Sequence, residues 1–182
     1  MSFLYLLLKT VLPALILATA LTPLIIIFGK KINIVDHPGV RKIHKAPIPL
    51  LGGLGIYLTV IILVPLLDYF FFGFLNLSRE FIGLFIGSTI MLCLGIVDDK
   101  IGLSAKEKFI FQFLAAIVVS ILGWKIHSIS LPLVNSTIFL GYMSIPISAI
   151  WYVGVINSCN MIDGMDGAAS GISLIALSVC AY

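Results

Sequence analysis

Asn157-Ser158-Cys159-Asn160-Met161-Ile162-Asp163-Gly164-Met165-Asp166-Gly167 is a polar island between two strongly apolar runs. Its Asn157, Asn160, Asp163 and Asp166 recur at steps of three, and on a straight α-helix each such step drifts about 60° around the axis. The four side chains then spread over half a helix. They converge only if Gly164 and Gly167 loosen this end, or if it tightens towards three residues per turn. Two carboxylates and two amides brought together would suit a hard cation or a polar ligand. In a soluble chain the same residues would read as caps and an Asp-Gly turn, and their spacing is not that of a calcium loop. Beside hydrocarbon the balance reverses, because aspartates there are costly and tend to be functional.

The chain around the island is membrane-like throughout. Of its 182 residues 60% are hydrophobic and 10% charged, and its mean hydropathy is +1.19, far from a soluble domain. Apolar runs at 11–28, 50–67, 81–97, 109–124 and 138–156 are each read as a membrane span, with 168–182 beginning a sixth. The expected fold is therefore an all-α polytopic membrane protein, a single transmembrane domain over 1–182 with five complete helices and a truncated sixth. The last run would reach only about 22 Å against a hydrocarbon core of roughly 30 Å. The expectation is that the chain is the N-terminal part of a longer catalytic domain, inactive alone. The first run is long for a signal peptide and lacks a clear cleavage site. Cys93, Cys159 and Cys180 lack paired or metal-ligand spacing and are expected as small core residues. No basic run with interleaved aromatics suggests a nucleic-acid partner.

Charge sets the orientation. With the N-terminus outside, Lys30, Lys31, Arg41, Lys42, Lys45, Lys100, Lys106 and Lys108 fall on the cytoplasmic side, and Lys9, Arg79 and Lys125 fall outside. The same arrangement sends three unusual polar segments to the cytoplasmic face. One is the polar island. Another is the loop Asp36-His37-Pro38-Gly39-Val40-Arg41-Lys42-Ile43-His44, closed by Pro47, Pro49, Gly52 and Gly53, whose punctuation exceeds what a charge anchor needs. The third is Asp98-Asp99 at the end of a span, with Ser104 placed to cap the next helix through a Ser-x-x-Glu box with Glu107. Asp98, Asp99, Asp163 and Asp166 on one membrane surface suggest a Mg²⁺ site, since Mg²⁺ takes oxygen ligands and bridges carboxylates to phosphates. The chain has no Walker loop, dinucleotide fingerprint, zinc constellation or Gly-x-Ser-x-Gly nucleophile setting.

Arg41-Lys42-Ile43-His44 through Pro49-Leu50-Leu51-Gly52-Gly53, Gly95-Ile96-Val97-Asp98-Asp99 through Leu103-Ser104-Ala105-Lys106, and Asn157-x-x-Asn160-x-x-Asp163-Gly164-x-Asp166-Gly167 together resemble the polyprenyl-phosphate N-acetylhexosamine-1-phosphate transferases of glycosyltransferase family 4. The resemblance implies transfer of a sugar-1-phosphate, GlcNAc-1-phosphate in the first instance, from a UDP-N-acetylhexosamine to undecaprenyl phosphate. UMP would be released, and a cell-surface glycan begun, at the cytoplasmic face of a bacterial inner membrane. It implies Mg²⁺, with Mn²⁺ as a substitute, and leaves room for a homodimer. By motif, Asp98 becomes the base or orienting group at the lipid phosphate and Asp99 a partner of the metal or diphosphate. Asn160 and Asp163 become metal-shell residues, Asn157 and Asp166 hold the nucleotide, and Arg41, Lys42, His44 and Lys45 contact anionic groups. Two departures stand out: Gly102 replaces a third aspartate of some relatives, and Ala168 replaces a usual leucine. Family members also carry more spans, a later aspartate and a histidine-rich loop.

The competing expectations are an ion-coupled transporter fragment, a CDP-alcohol phosphotransferase and an inactive assembly partner. Carboxylates at segment ends argue against the first, which would bind its ion near the midplane. Ala168-Ala169-Ser170 supplies no Arg where the second expects one.

Overall fold

A computed structural model describes residues 7–36, 47–73, 78–131, 136–163 and 167–180. A π-turn, Leu7–Val11, leads into α1 (Leu12–Lys31), followed by α2 (Gly52–Phe72), α3 (Arg79–Ile101), α4 (Ala105–Ile121), α5 (Ser144–Ile162) and α6 (Ala168–Cys180). Two small antiparallel hairpins interrupt the helices. β1 (Val35–Asp36) pairs with β2 (Ile48–Pro49) between α1 and α2, and β3 (Ser128–Leu131) pairs with β4 (Ser136–Phe139) between α4 and α5. Each helix packs on the next in sequence. The chain is an all-α polytopic membrane protein.

Among the described residues four helical segments are long and apolar enough to cross a bilayer: Leu8–Lys31, Gly52–Phe71, Arg79–Ile101 and Gly141–Ile162. Pro23 lies inside α1, yet the helix runs on, as transmembrane helices tolerate. The helices differ from the expected spans at their ends. The fifth begins at Ser144 and not at 138, because Ser136–Phe139 is taken up by the β3–β4 hairpin, and a short 3₁₀ turn follows at Gly141–Met143. The fourth, α4, has 17 residues and stops at Ile121, where the chain turns through Gly123 at φ +126°. At 1.5 Å per residue it reaches about 25 Å, with Lys106, Glu107 and Lys108 in its first turns.

Little of the bundle is buried inside the protein, as expected where lipid covers the outside. The seams are built from small residues, the usual means of close helix approach where no hydrophobic drive distinguishes protein from lipid. Buried Gly83 and Gly87 of α3 lie against Leu122 and Val119. A Cβ on Gly83 would come within 2.8 Å of the Leu122 Cβ, and one on Gly87 would overlap the Val119 Cγ2. On its other side α4 presents Ala116 to Ala149 and Val153 of α5, with Phe113 and Tyr152 packed alongside. Ser148, fully buried, accepts from the Ile126 N–H at 2.7 Å and donates to the Ser144 carbonyl, tying the segment after α4 onto α5. Cys93 and Cys159 are exposed and not in the core: next to Cys93 it is Leu94 that is buried, and Cys159 lies outside the Ala149–Val153 stripe of α5.

Candidate functional site

Asp98 and Asp99 occupy the last turn of α3, not a loop beyond it. The helix ends at Gly102, whose N–H returns to the Asp98 carbonyl at 2.8 Å and whose φ of +69° is left-handed. That conformation favours glycine and gives a physical reason for Gly102 at this corner. The Asp98 carboxylate accepts from the Leu103 N–H at 2.9 Å, and Ser104 caps α4 in the expected box with Glu107. Asp98 also pairs with Lys108 Nζ at 2.7 Å, the pair being partly exposed. This three-residue corner thereby fixes both the direction of α4 and the position of Asp98.

Asp99 points to a different neighbourhood. It lines a cleft of about 180 Å³ between the last turns of α3 and the start of α2, together with Leu50, Leu51, Gly53, Leu54, Met91, Leu92, Gly95 and Ile96. The lining is apolar except for Asp99, and no hydrogen bond or ion pair engages its carboxylate among the described residues. The α2 N-terminus, which has no side-chain cap, opens onto the same cleft. Its first-turn N–H groups carry the positive end of the helix dipole.

The stem of the basic loop is held at this end of the bundle. Val35 pairs with Pro49 and Asp36 with Ile48, while the Leu50 N–H reaches the Ile34 carbonyl at 3.2 Å. Leu50 and Leu51 then run directly into the Asp99 cleft. Arg41, Lys42, His44 and Lys45 lie outside the described residues, as does Asp166.

The Asn-Asn-Asp series does not converge through a loosened helix. α5 keeps its helical form through Ile162, and Asp163 follows as its cap with its N–H on the Cys159 carbonyl at 3.1 Å. Asn157 consequently turns into the α4–α5 seam, while Asn160 and Asp163 are exposed. In the seam Asn157 Nδ2 donates to Gln112 Oε1 at 2.7 Å and to the Val153 carbonyl at 2.8 Å. Gln112, only 6% exposed, lies one turn beyond Lys108 on α4. One face of α4 therefore joins the Asp98 corner to the Asn157 segment. Gln112 is absent from the sequence-derived site because a lone glutamine in an apolar run carries no local signal.

Among the described residues no group of three His, Cys, Asp or Glu side chains forms a metal cluster. A Mg²⁺ ion needs fewer, since it commonly binds through one or two carboxylates with water and substrate phosphates completing its shell. Asp99 and Asp163, each without a side-chain partner among the described residues, fit that requirement as oxygen donors.

The family model described as "Glycosyl transferase family 4" matches residues 81–182. A "Probable undecaprenyl-phosphate N-acetylglucosaminyl 1-phosphate transferase" of Bacillus subtilis (strain 168) is 37% identical over 161 residues, covering 88% of this chain and 43% of the relative. An "Undecaprenyl-phosphate alpha-N-acetylglucosaminyl 1-phosphate transferase" of Thermotoga maritima is 32% identical, covering 88% of this chain and 47% of the relative. The Escherichia coli (strain K12) protein of that description is 28% identical over 82% of this chain and 39% of its own length. The chain thus spans less than half the length of these curated relatives, and the family model's match takes in both the Asp98-Asp99 corner and the Asn157–Asp163 segment. The chain belongs to glycosyl transferase family 4.

Proposed function

We propose that the complete protein transfers N-acetylglucosamine-1-phosphate from its UDP-sugar to a polyprenyl phosphate, undecaprenyl phosphate in the first instance, at the cytoplasmic membrane face, releasing UMP. The observation that carries this reading is Asp99, an unpaired carboxylate in an otherwise apolar cleft beside an uncapped helix N-terminus. A lipid phosphate joins an apolar chain to an anionic head: the apolar lining suits the chain, and the helix N-terminus, with a cation that Asp99 would hold, suits the head. The names of the relatives in Bacillus and Thermotoga supply the sugar and the lipid.

The division of labour follows from the contacts. Asp98, held by Lys108 and the Leu103 N–H, is the oriented carboxylate, and it serves as base or orienting group at the lipid phosphate. Asp99 with Asp163 and Asn160 would hold Mg²⁺, which when bound offsets the repulsion between two anionic substrates. Arg41, Lys42, His44 and Lys45 would contact the anionic groups from the loop whose stem reaches the cleft, and Asn157 and Asp166 would hold the nucleotide. The rest is positioning, the main contribution a protein makes to phosphoryl transfer.

Radiolabelled UDP-N-acetylhexosamines and undecaprenyl phosphate, given to the complete gene product in membranes, test the reading. Labelled lipid and UMP appear together with UDP-GlcNAc, and a chelator abolishes both until Mg²⁺ is restored. Unchanged transfer in chelator would reject the metal-dependent mechanism.

The orientation has its own test. On a background without Cys93, Cys159 and Cys180, His127→Cys reacts with an impermeant maleimide on intact cells, and Lys106→Cys reacts only after permeabilisation. The reverse pattern would place the Asp98-Asp99 corner outside.

A further inference from the structure

We propose that Gln112 is a positioning residue that sets the Asn157 amide so that it meets its ligand with a carbonyl oxygen and no N–H. The inference rests on the reading that Asn157 belongs to the substrate site. It begins with a count of donors: an asparagine amide has two N–H groups and one acceptor oxygen. Both donors are spent inside the protein, one on the Val153 carbonyl at 2.8 Å and one on Gln112 Oε1 at 2.7 Å.

The orientation is determined by those partners. A backbone carbonyl can only accept, so the Asn157 atom facing Val153 must be nitrogen. The Gln112 atom facing the same nitrogen must then be the oxygen. Gln112 is only 6% exposed, and a buried amide oxygen without a partner is costly. Flipping either amide would set two acceptors or two donors against each other.

What remains of Asn157 is Oδ1. Phosphate oxygens are acceptors, so Asn157 does not hydrogen-bond the diphosphate. With the metal assigned to Asp99, Asp163 and Asn160, its ligand chemistry is that of an N–H or O–H donor on the nucleotide sugar. Gln112 touches no substrate in this arrangement and acts through Asn157.

Steady-state transfer by the complete gene product, compared among wild type, Gln112→Met and Gln112→Glu, tests the proposal. Methionine keeps the length and removes the acceptor, and glutamate keeps an acceptor oxygen but adds a buried charge. Loss of one buried hydrogen-bond partner predicts that Gln112→Met lowers kcat/KM for the UDP-sugar by about tenfold or more. Gln112→Glu retains several-fold more activity than Gln112→Met, whatever the order of their melting temperatures. If Gln112→Met transfers as well as or better than Gln112→Glu, Gln112 is only structural and the proposal is overturned.

A wild-type protein that transfers no sugar phosphate would refute the proposed function and not this bond. Thermal unfolding of Gln112→Met, Asn157→Ala and their double variant then decides whether the bond exists. Non-additive melting shifts support it, and additive shifts overturn it.

Discussion

Asp99→Asn in the complete gene product lowers UMP release by on the order of a hundredfold or more, while its melting temperature stays at or above that of the wild type. The two halves of this expectation have one origin. Asp99 lies in the last turn of α3, where the helix dipole favours cations, and Asp98 is its immediate neighbour. Among the described residues it has no hydrogen bond or ion pair to offset that placement. Neutralising it removes an unfavourable interaction and deletes a hard oxygen donor facing the cleft, with almost no change of shape. Asp98→Asn lowers transfer as well, but it also breaks the pair with Lys108, so its melting temperature does not rise. Enzyme assays and thermal unfolding in the same detergent check both variants. An Asp99→Asn protein of full activity would remove Asp99 from the metal and diphosphate site.

The second large effect is structural. Gly87→Leu destabilises the protein by about 1–3 kcal/mol, the usual cost of overpacking, because even its Cβ would overlap the Val119 Cγ2. Valine is stiff at χ1 and cannot turn the methyl aside cheaply. The helices must then separate, and the separation reaches the site. α3 and α4 run antiparallel from the Gly83–Leu122 contact through Gly87–Val119 to the Asp98–Lys108 pair, so a wedge in the middle of the seam pulls on its charged end. Gly87→Leu therefore loses activity together with stability. Gly154→Leu on α5, where an added Cβ meets nothing within 4 Å, is the matched control and melts like the wild type. Equal melting of the two variants would show that α3 and α4 tolerate a wider spacing.

The sequence by itself determined what depends on local free energy. Apolar runs long enough to cross hydrocarbon must form helices, since an unpaired backbone is not tolerated there, and residues 52–71, 79–101 and 144–162 do so. The Ser104–Glu107 box is equally local and forms as its spacing requires. Three polar motifs, Asp98-Asp99, the Arg41–Lys45 loop and the Asn157–Asp166 series, carry chemistry that is visible in residue type and spacing alone. The series Asn157, Asn160, Asp163 was legible as polar but not as divided, because whether a helix loosens depends on what packs against it.

Only the tertiary structure decided which partner each polar side chain meets. It sends Asp98 to Lys108, leaves Asp99 facing an apolar cleft, and turns Asn157 inward to Gln112, 45 residues away in the chain. The β3–β4 hairpin, which displaces the start of α5, is stabilised by cross-strand pairing that an apolar run does not disclose. Hydropathy records how each residue partitions between water and lipid. It holds no information on which buried donor faces which buried acceptor, because that is fixed by the register of one helix on another, here by glycine and alanine contacts along α4.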